Sequence, residues 1–208
     1  MKLDWCIPIP QAGRQSDGEP PFPLLRRYRP AFYDKTVPLS IMDVSGKGRA
    51  LVTNRDLAQG ERILAFCGER VTRRRLMHPN AALQIDEDLF LESNGTIDEC
   101  LNHSCRPNCY IDFKHLTLAA LRGIGRGEEL TFNYNTSEYD LIDQGCAFVC
   151  NCGSETCVGH IAGFKHAPPG HRKSIQPILA PYLRRKMQEE IASDDKRGCK
   201  TTKEGVQQ

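Results

Sequence analysis

The sequence predicts a mainly β fold built from several small sheets, followed by a helix near the C-terminus. From Ile41 onward, short apolar runs alternate with turn residues, and this spacing is typical of many short strands. After Gly163, apolar residues recur at the period of an amphipathic helix. No Gly-x-Gly-x-x-Gly motif follows a strand and no helical pattern lies between strands, so a doubly wound dinucleotide-binding fold is disfavoured.

The first segment, residues 1–40, is rich in proline. Proline removes a backbone donor and fixes φ, so this segment cannot form long helices or central strands. We interpret it as an N-terminal arm that lies against the following domain or stays mobile.

Strands are predicted wherever an apolar run is bounded by glycine, proline or other turn residues. In chain order these runs are Ala50–Thr53, Arg62–Cys67, Glu69–Thr72, Ala82–Ile85, Leu89–Leu91, Cys109–Phe113, Leu116–Leu121 and Leu130–Asn133. Such short strands favour small sheets over one large sheet.

The C-terminal part is predicted to be a helical extension over residues 167–192. Pro177 and Pro181 must lie in first turns, so we expect a short turn followed by a helix from Pro181 to Ala192. Its apolar stripe indicates a core or docking surface rather than a cofactor site. Residues 193–208 are polar and charged, and we expect them to be disordered.

Overall composition excludes several classes of protein. The chain has 208 residues, and 28 basic against 26 acidic side chains leave a net charge of +2. This near balance does not support direct nucleic-acid binding, and we expect none. No apolar run of about 20 residues is present, so we expect no membrane span.

Cysteine usage indicates the compartment. The start of the chain lacks the basic and apolar regions of a secretory signal, yet the chain contains 10 cysteines. Without an export signal, this count indicates metal binding in a reducing, intracellular compartment, the cytoplasm or the nucleus, rather than disulfides.

Three uncommon motifs follow one another in the second half of the chain. They are Asn102-His103-Ser104-Cys105-Arg106-Pro107-Asn108, Gly127-Glu128-Glu129-Leu130-Thr131-Phe132-Asn133-Tyr134, and Cys150-x-Cys152-x4-Cys157. Alone, the first suits either a ligand cradle or a polar turn whose groups satisfy one another. The second, taken alone, is a strand ending in a core tyrosine. The third places three thiols close together, which indicates a zinc site.

Together and in this order, the motifs resemble the SET-domain family, the S-adenosylmethionine-dependent lysine methyltransferases that carry a zinc-binding post-SET tail. The resemblance extends from Ile41 to Lys165 and implies the β-clip SET fold, in which a C-terminal segment threads through a loop in a knot-like arrangement. It divides the chain into a SET domain over 41–145 and a post-SET segment over 146–166.

The resemblance implies which residues bind the cofactor. Asn102 and His103 would contact the methionine part and the adenine of S-adenosylmethionine, partly through backbone groups. Lys47, Gly48 and Arg49 lie in the matching cofactor loop, whose glycines let the backbone approach a ligand closely. Tyr134 would be the active-site tyrosine, beside the cofactor and the substrate.

The metal site needs a fourth ligand besides Cys150, Cys152 and Cys157. Residue chemistry alone leaves several candidates open, namely Cys146, Cys100, Cys109 and His160. The resemblance implies Cys105, which would let a zinc ion pin the tail onto the Asn102–Asn108 bend.

The implied reaction is a direct displacement in which a lysine amine of a protein or peptide attacks the methyl group of the cofactor. A free lysine has a pKa of about 10.4, so forming the neutral amine near pH 7 costs roughly 4.6 kcal/mol. An apolar channel disfavours the ammonium form. Tyr134 is expected to orient the amine, and positioning supplies most of the acceleration.

Several positions depart from the family pattern. Phe66 lacks the hydroxyl of the usual tyrosine, Ala81-Ala82 replaces a frequent aromatic residue, and Glu99-Cys100 replaces a frequent Arg-Phe. Phe66 and the alanines predict a wider and less polar substrate channel. Two alternatives follow: a SET-fold enzyme that acts on a small molecule, and a non-catalytic binding module.

Overall fold

The computed structural model describes residues 37–44, 46–92 and 97–201. Predictions for residues 1–36 and 202–208 lie outside these ranges. Within them the fold is mainly β, as predicted. In chain order the strands are β1 (Leu39–Val44), β2 (Gly48–Thr53), β3 (Arg62–Ala65), β4 (Glu69–Val71), β5 (Ala82–Asp86), β6 (Leu89–Glu92), β7 (Asn102–His103), β8 (Cys109–Asp112), β9 (Thr117–Ala120), β10 (Thr131–Phe132), β11 (Phe148–Val149) and β12 (His160–Ile161).

The strands form five small sheets. β1 and β2 form an antiparallel hairpin, and two three-stranded antiparallel sheets have the orders β3-β9-β8 and β4-β6-β5. β11 pairs with β12 in an antiparallel ladder, whereas β7 and β10 are parallel. The parallel pair joins segments far apart in sequence, and it positions the candidate site.

Every strand predicted from an apolar run is present, with ends that differ by no more than two residues. β1 was not predicted, and it crosses the predicted boundary between residues 40 and 41. Pro38 and the polar residues of Leu39–Val44 hid a strand that pairs fully with β2, and Val37 just before it is completely buried. β7, β11 and β12 are only two residues long, too short to produce an alternating pattern.

The main hydrophobic core lies between the sheets. Leu51, Ile63, Leu118 and Leu130 are fully buried in it, and each contributes roughly 1.5–3 kcal/mol by leaving water. Tyr134 is half-buried and packs against the edge of this core. The sheets therefore form a rigid support for the residues around Tyr134.

The C-terminal extension is helical, as predicted. α1 (Pro169–Ile175), a 3-10 turn (Gln176–Ile178) and α2 (Pro181–Thr201) pack a second apolar cluster against Phe164. Tyr182 is buried, and its hydroxyl donates a hydrogen bond to the carbonyl of Ser137. The C-terminal extension thus packs against the segment that follows Tyr134 and supports it.

The predicted disordered tail is wrong for residues 193–201. They continue α2 to Thr201 instead of leaving it at Ala192. The prediction relied on the polar composition of these residues. Once the first turns of the helix are formed and docked, each added residue gains one hydrogen bond, so the helix can extend into a polar segment. Among the described residues, no helix is long and apolar enough to cross a membrane.

Gly163 is expected to tolerate no side chain. Its φ is +95°, and a Cβ built there would lie 2.5 Å from the carbonyl oxygen of Tyr139. We predict that Gly163→Ala lowers the free energy of unfolding by about 3 kcal/mol, measured by urea denaturation. Gly60→Ala is the matched control, because Gly60 has a φ of +80° but open space around it. Its expected cost is about 1 kcal/mol. Equal losses in the two variants would contradict this account.

Candidate active site and metal centre

The bend Asn102–Asn108 lies against the strand that leads to Tyr134. Asn102 lies opposite Thr131 and His103 opposite Phe132 in the parallel pairing of β7 and β10. At the far end of the bend, the Asn108 amide donates to the Glu129 carbonyl at 2.7 Å, and its oxygen accepts from the Thr131 backbone N–H at 2.9 Å. The bend is therefore tied at both of its ends to the chain that leads to Tyr134.

His103 connects this bend to Tyr134 and to the cysteine cluster. The backbone N–H of Tyr134 donates to His103 Nδ1 at 3.1 Å, so Nε2 carries the proton of the neutral ring. Nε2 lies 3.3 Å from Cys105 Sγ and can donate to the sulfur. Burial lowers the pKa of His103 to about 3, with smaller contributions from the charges of His171 and Lys47. The imidazole is therefore neutral at physiological pH.

The Tyr134 side chain is fixed in one orientation. Its hydroxyl donates to the Leu101 carbonyl at 2.7 Å, and its ring makes edge contacts with His103 and Phe148 at centroid distances of 5.3 and 5.9 Å. Burial raises the pKa of the phenol, and the negative charges of Glu138 and Glu129 raise it further. The phenol stays protonated at neutral pH, so it can orient a substrate but cannot act as the base.

Tyr134 lines a cavity of about 170 Å³. Phe66, Ala81 and Ala82 line it as well, where the sequence predicted a widened channel. The described lining is completed by Pro79, Asn80, Leu83, Asp98, Glu99, Leu101, Phe132, Glu138, Leu141, Cys146 and Phe148. Most of these side chains are apolar, so a group that enters the cavity leaves most of its hydration behind.

The loop before β2 lies beside the Asn102–Asn108 bend. Asn102 Nδ2 donates to the Arg49 carbonyl at 3.0 Å and to Glu129 Oε1 at 2.8 Å, while Lys47 Nζ donates to Glu129 Oε2 at 2.9 Å. Gly48 has a φ of +75°, and a Cβ there would meet open space. The structure thus brings together Lys47, Gly48, Arg49 and Asn102, and it adds Glu129, which sequence reasoning did not single out.

Four thiols lie together at the other side of the bend. The sulfur atoms of Cys105, Cys150, Cys152 and Cys157 are all within 4.8 Å of one another, and Cys105 and Cys150 are 3.9 Å apart. Four sulfurs around a tetrahedral zinc ion at about 2.3 Å would be separated by about 3.8 Å, so the cluster fits zinc. The four cysteines form no disulfide with one another.

The competing fourth ligands lie elsewhere. Cys100 and Cys109 are buried in the main core, Cys146 lines the cavity, and His160 is exposed on β12. The position of Cys105 therefore agrees with the ligand set that the resemblance implied.

The thiols of the cluster differ in acidity. Burial raises the pKa of Cys150 to about 11. Burial also acts to raise the pKa of Cys152, but hydrogen bonds from the backbone of Cys105 and Ser154 and from neighbouring thiols outweigh it and bring the pKa to about 7. A divalent ion would displace the remaining protons, because the thiolate is the form that binds metal.

The cluster is also connected to the loop before β2. Asn151, between two of the cysteines, donates from Nδ2 to the Gly46 carbonyl at 3.0 Å. Three segments distant in sequence, residues 46–49, 102–105 and 150–157, thus meet at one place. Sequence reasoning did not identify Asn151, whose only local signal was its position inside the Cys-x-Cys motif.

Part of this chain is similar to known proteins. Residues 48–135 match the family model described as SET domain. Two curated relatives are a histone-lysine N-methyltransferase, H3 lysine-36 specific, from Candida albicans and the histone-lysine N-methyltransferase trithorax from Drosophila virilis. The Candida relative is 26% identical, and the match covers 66% of this chain and 18% of that relative. The Drosophila relative is 30% identical, and the match covers 53% of this chain and 3% of that relative. The chain thus spans less than a fifth of either relative.

Two solved structures show the same fold. One is KRYPTONITE in complex with mCHH DNA, H3(1-15) peptide and SAH, with a TM-score of 0.51 and 22% identity over 60% of this chain and 29% of that chain. The other is Arabidopsis thaliana SUVH6 in complex with SAM, with a TM-score of 0.53 and 19% identity over 62% and 34%. At these identities the likeness establishes the fold alone.

Proposed function

We propose that this chain, whose residues 48–135 belong to the SET-domain family, is an S-adenosylmethionine-dependent methyltransferase that acts on the side-chain amine of a protein lysine. The observation that carries the proposal is the position of Tyr134, which lines an apolar cavity and contacts the Asn102–Asn108 bend through His103. We also propose that residues 41–145, with β1 starting at Leu39, form the SET domain and that 146–166 form the post-SET segment.

The methyl donor would bind where residues 46–49 meet the Asn102–Asn108 bend. We assign Lys47, Gly48, Arg49, Asn102, His103 and Tyr134 to this site. Opposite charges at Lys47 and Glu129 suit a ligand that carries both a carboxylate and an ammonium group. Both ring nitrogens of His103 are engaged within the protein, so its contact with the donor would use the main chain. When bound, the donor supplies an electrophilic methyl group on a sulfonium sulfur.

The acceptor amine would enter the cavity beside Tyr134. Because the phenol proton is engaged with the Leu101 carbonyl, the oxygen lone pairs remain to accept an N–H of the amine. That contact fixes the direction of the nitrogen lone pair once the amine has lost its proton, and desolvation by the apolar walls lowers the cost of that loss. Catalysis then rests on positioning and desolvation.

A zinc ion held by Cys105, Cys150, Cys152 and Cys157 would be structural, because four thiolates leave no open position for chemistry. Its role would be to fasten residues 150–157 to the Asn102–Asn108 bend. The hydrogen bond from His103 to Cys105 would support that ligand from outside the coordination sphere.

The substrate class follows from the relatives rather than from the geometry. Curated relatives are named for histone lysines, and the KRYPTONITE structure contains an H3 peptide. These names favour a histone-like lysine and action in the nucleus, with a cytoplasmic protein lysine as the alternative. Phe66, Ala81 and Ala82 line the cavity without the hydroxyl and the aromatic ring that the resemblance would place there, and this favours a second candidate, a small-molecule amine acceptor.

Methyl transfer is the test of this proposal. The protein is incubated with trideuteriomethyl-labelled S-adenosylmethionine, histone peptides, other lysine peptides and small primary amines, and the products are analysed by mass spectrometry. We expect labelled methyl groups on lysine nitrogens. If only a small amine becomes labelled, the acceptor is a small molecule, the second candidate, and not a protein lysine. Binding of the donor without transfer to any acceptor would contradict the enzyme.

A further inference from the structure

The charged side chains among the described lining of the cavity beside Tyr134 are all carboxylates. Asp98, Glu99 and Glu138 line it, and among the described lining residues none is lysine, arginine or histidine. Asp98 and Glu99 are half-buried, whereas Glu138 is only 6% exposed. An otherwise apolar cavity whose charged groups are all carboxylates attracts a cation and repels an anion.

Glu138 projects from the same turn as Tyr134. The backbone N–H of Glu138 donates to the Tyr134 carbonyl at 2.8 Å, which closes one turn of chain and places both residues on the wall of one cavity. Glu138 is therefore held close to the phenol that would orient the acceptor. This closeness also appears in the raised pKa of Tyr134, to which burial and then the charge of Glu138 contribute.

One carboxylate oxygen of Glu138 accepts two hydrogen bonds, and the other can still accept a further one. Oε1 accepts from the Gln84 backbone N–H at 3.0 Å and from the Ser137 hydroxyl at 3.1 Å. Oε2 accepts one long hydrogen bond, from Gln144 Nε2 at 3.4 Å. None of the ion pairs found among the described residues includes Glu138. Arg73 acts on Glu138 only from a distance, because its ion pair is with Asp143. A buried carboxylate without an ion pair of its own is costly, and a cation in the cavity would offset that cost.

We propose that Glu138 receives the acceptor amine: its carboxylate binds the substrate ammonium inside the cavity and takes the proton that must leave before methyl transfer. This inference rests on the proposed function and adds to it the group that deprotonates the acceptor. The proton moves from the ammonium nitrogen to an oxygen of Glu138. The N–H bond breaks, its electron pair stays on nitrogen, an O–H bond forms, and the total charge is unchanged. The proton later passes to water.

The acidity of Glu138 suits this task. Burial raises its pKa to about 7, although hydrogen bonds from Gln84, Ser137 and Gln144 act to lower it. A carboxylate with this pKa is a stronger base than an exposed one, and it is largely ionised just above neutral pH. The neighbouring Tyr182 lies in the same buried region: its hydroxyl donates to the carbonyl of Ser137, and burial is the largest cause of its raised pKa.

The groups that face Glu138 from neighbouring elements do not titrate near neutral pH. Tyr134, Cys146 and Tyr182 all have raised pKa values, chiefly through burial, and remain uncharged there. The nearby cation is Arg73, which is ion-paired with Asp143. A pH dependence of amine binding between about pH 6 and about pH 8 would therefore report on Glu138.

Binding of n-butylamine, a mimic of the lysine side chain, tests the proposal without requiring turnover. Its affinity is measured by NMR titration of the full chain, with 1-butanol as the neutral probe of similar shape. As Glu138 ionises, butylammonium affinity should rise about tenfold between about pH 6 and about pH 8, whereas butanol affinity should stay constant. Carbon-13 NMR of the Glu138 carboxyl should show a pKa that falls when butylamine binds.

Two variants complete the test. Glu138→Gln should weaken butylamine binding about tenfold and remove its pH dependence, while Glu69→Gln on an exposed strand outside the cavity should change neither. If Glu138→Gln does not fold, the carbon-13 measurement on the native protein still decides. A Glu138 pKa that does not respond to amine, or a variant with native amine binding and native pH dependence, would overturn the inference. Native amine binding without methyl transfer would instead overturn the proposed function.

Discussion

Removing zinc is expected to loosen the chain from Cys150 onward and to abolish methyl transfer. Structural zinc sites contribute on the order of 10 kcal/mol of apparent binding free energy. Here that free energy would hold residues 150–157 against Cys105, because Cys105 lies across a long sequence gap from its three partners. Without the ion, only weak contacts between the thiols and a few hydrogen bonds remain to hold the segment.

Hydrogen–deuterium exchange measures this effect directly. A strong chelator or Cys105→Ser should raise exchange at the backbone amides of Cys150 and Cys157, which hydrogen-bond to Gly159 and Ser154. A colorimetric assay should detect one equivalent of zinc released from the native chain. Cys146→Ser is the control, because Cys146 belongs to the same segment but lies outside the cluster. Unchanged exchange after complete chelation would contradict the structural role of the metal.

Tyr134→Phe is expected to lower the rate of methyl transfer about hundredfold with little loss of stability. The ring and its contacts with His103 and Phe148 remain, so the core edge stays packed. The hydroxyl is lost, and with it the oxygen that would orient the amine. Leaving the Leu101 carbonyl without its donor costs about 1 kcal/mol of stability.

The control for this substitution is Tyr110→Phe. Tyr110 lies on β8, away from the cavity lining, and loses the same atom. Its rate should match that of the native chain. Rates are compared at saturating donor and acceptor, so that a loss in kcat is separated from a loss in binding. A Tyr134→Phe variant with native kcat would show that the phenol takes no part in orienting the acceptor.

Local pattern was sufficient to locate the longer strands and the start of the C-terminal helix. Runs such as Cys109–Phe113 carry apolar residues at every second position and are bounded by turn residues, and both properties are visible in the sequence. β1 was missed because Pro38 precedes it and polar residues interrupt it, although β2 pairs along its whole length. The end of α2 was missed because composition does not register helix propagation from a docked first turn.

The candidate site was predictable where its residues lie in motifs. Asn102, His103, Tyr134 and the four cysteines could be named before the structure because each lies in one of three ordered motifs. Their roles as donor-binding residues, orienting phenol and zinc ligands remain predictions that the experiments above address.

Residues that depend on tertiary contacts could not be found this way. Glu129 and Asn151 lie inside two of the motifs, but the motifs alone do not show which groups these side chains contact. Glu138 lies outside the motifs, in a mixed segment where an exposed side chain would look the same. Only the folded chain shows that Glu138 is 6% exposed and that Glu129 joins Lys47 to Asn102. Burial and long-range pairing, rather than residue type, make these groups functional candidates.

The central claim is that residues 46–49, 102–105 and 150–157 together form one site for S-adenosylmethionine. Isothermal titration calorimetry of the zinc-loaded chain with this ligand tests it most directly. We expect a single site of micromolar affinity that is lost after chelation and weakened at least tenfold in Asn102→Ala, since Asn102 connects the Arg49 carbonyl to Glu129. Absence of binding to the zinc-loaded chain, or binding that is unaffected by both changes, would contradict the account.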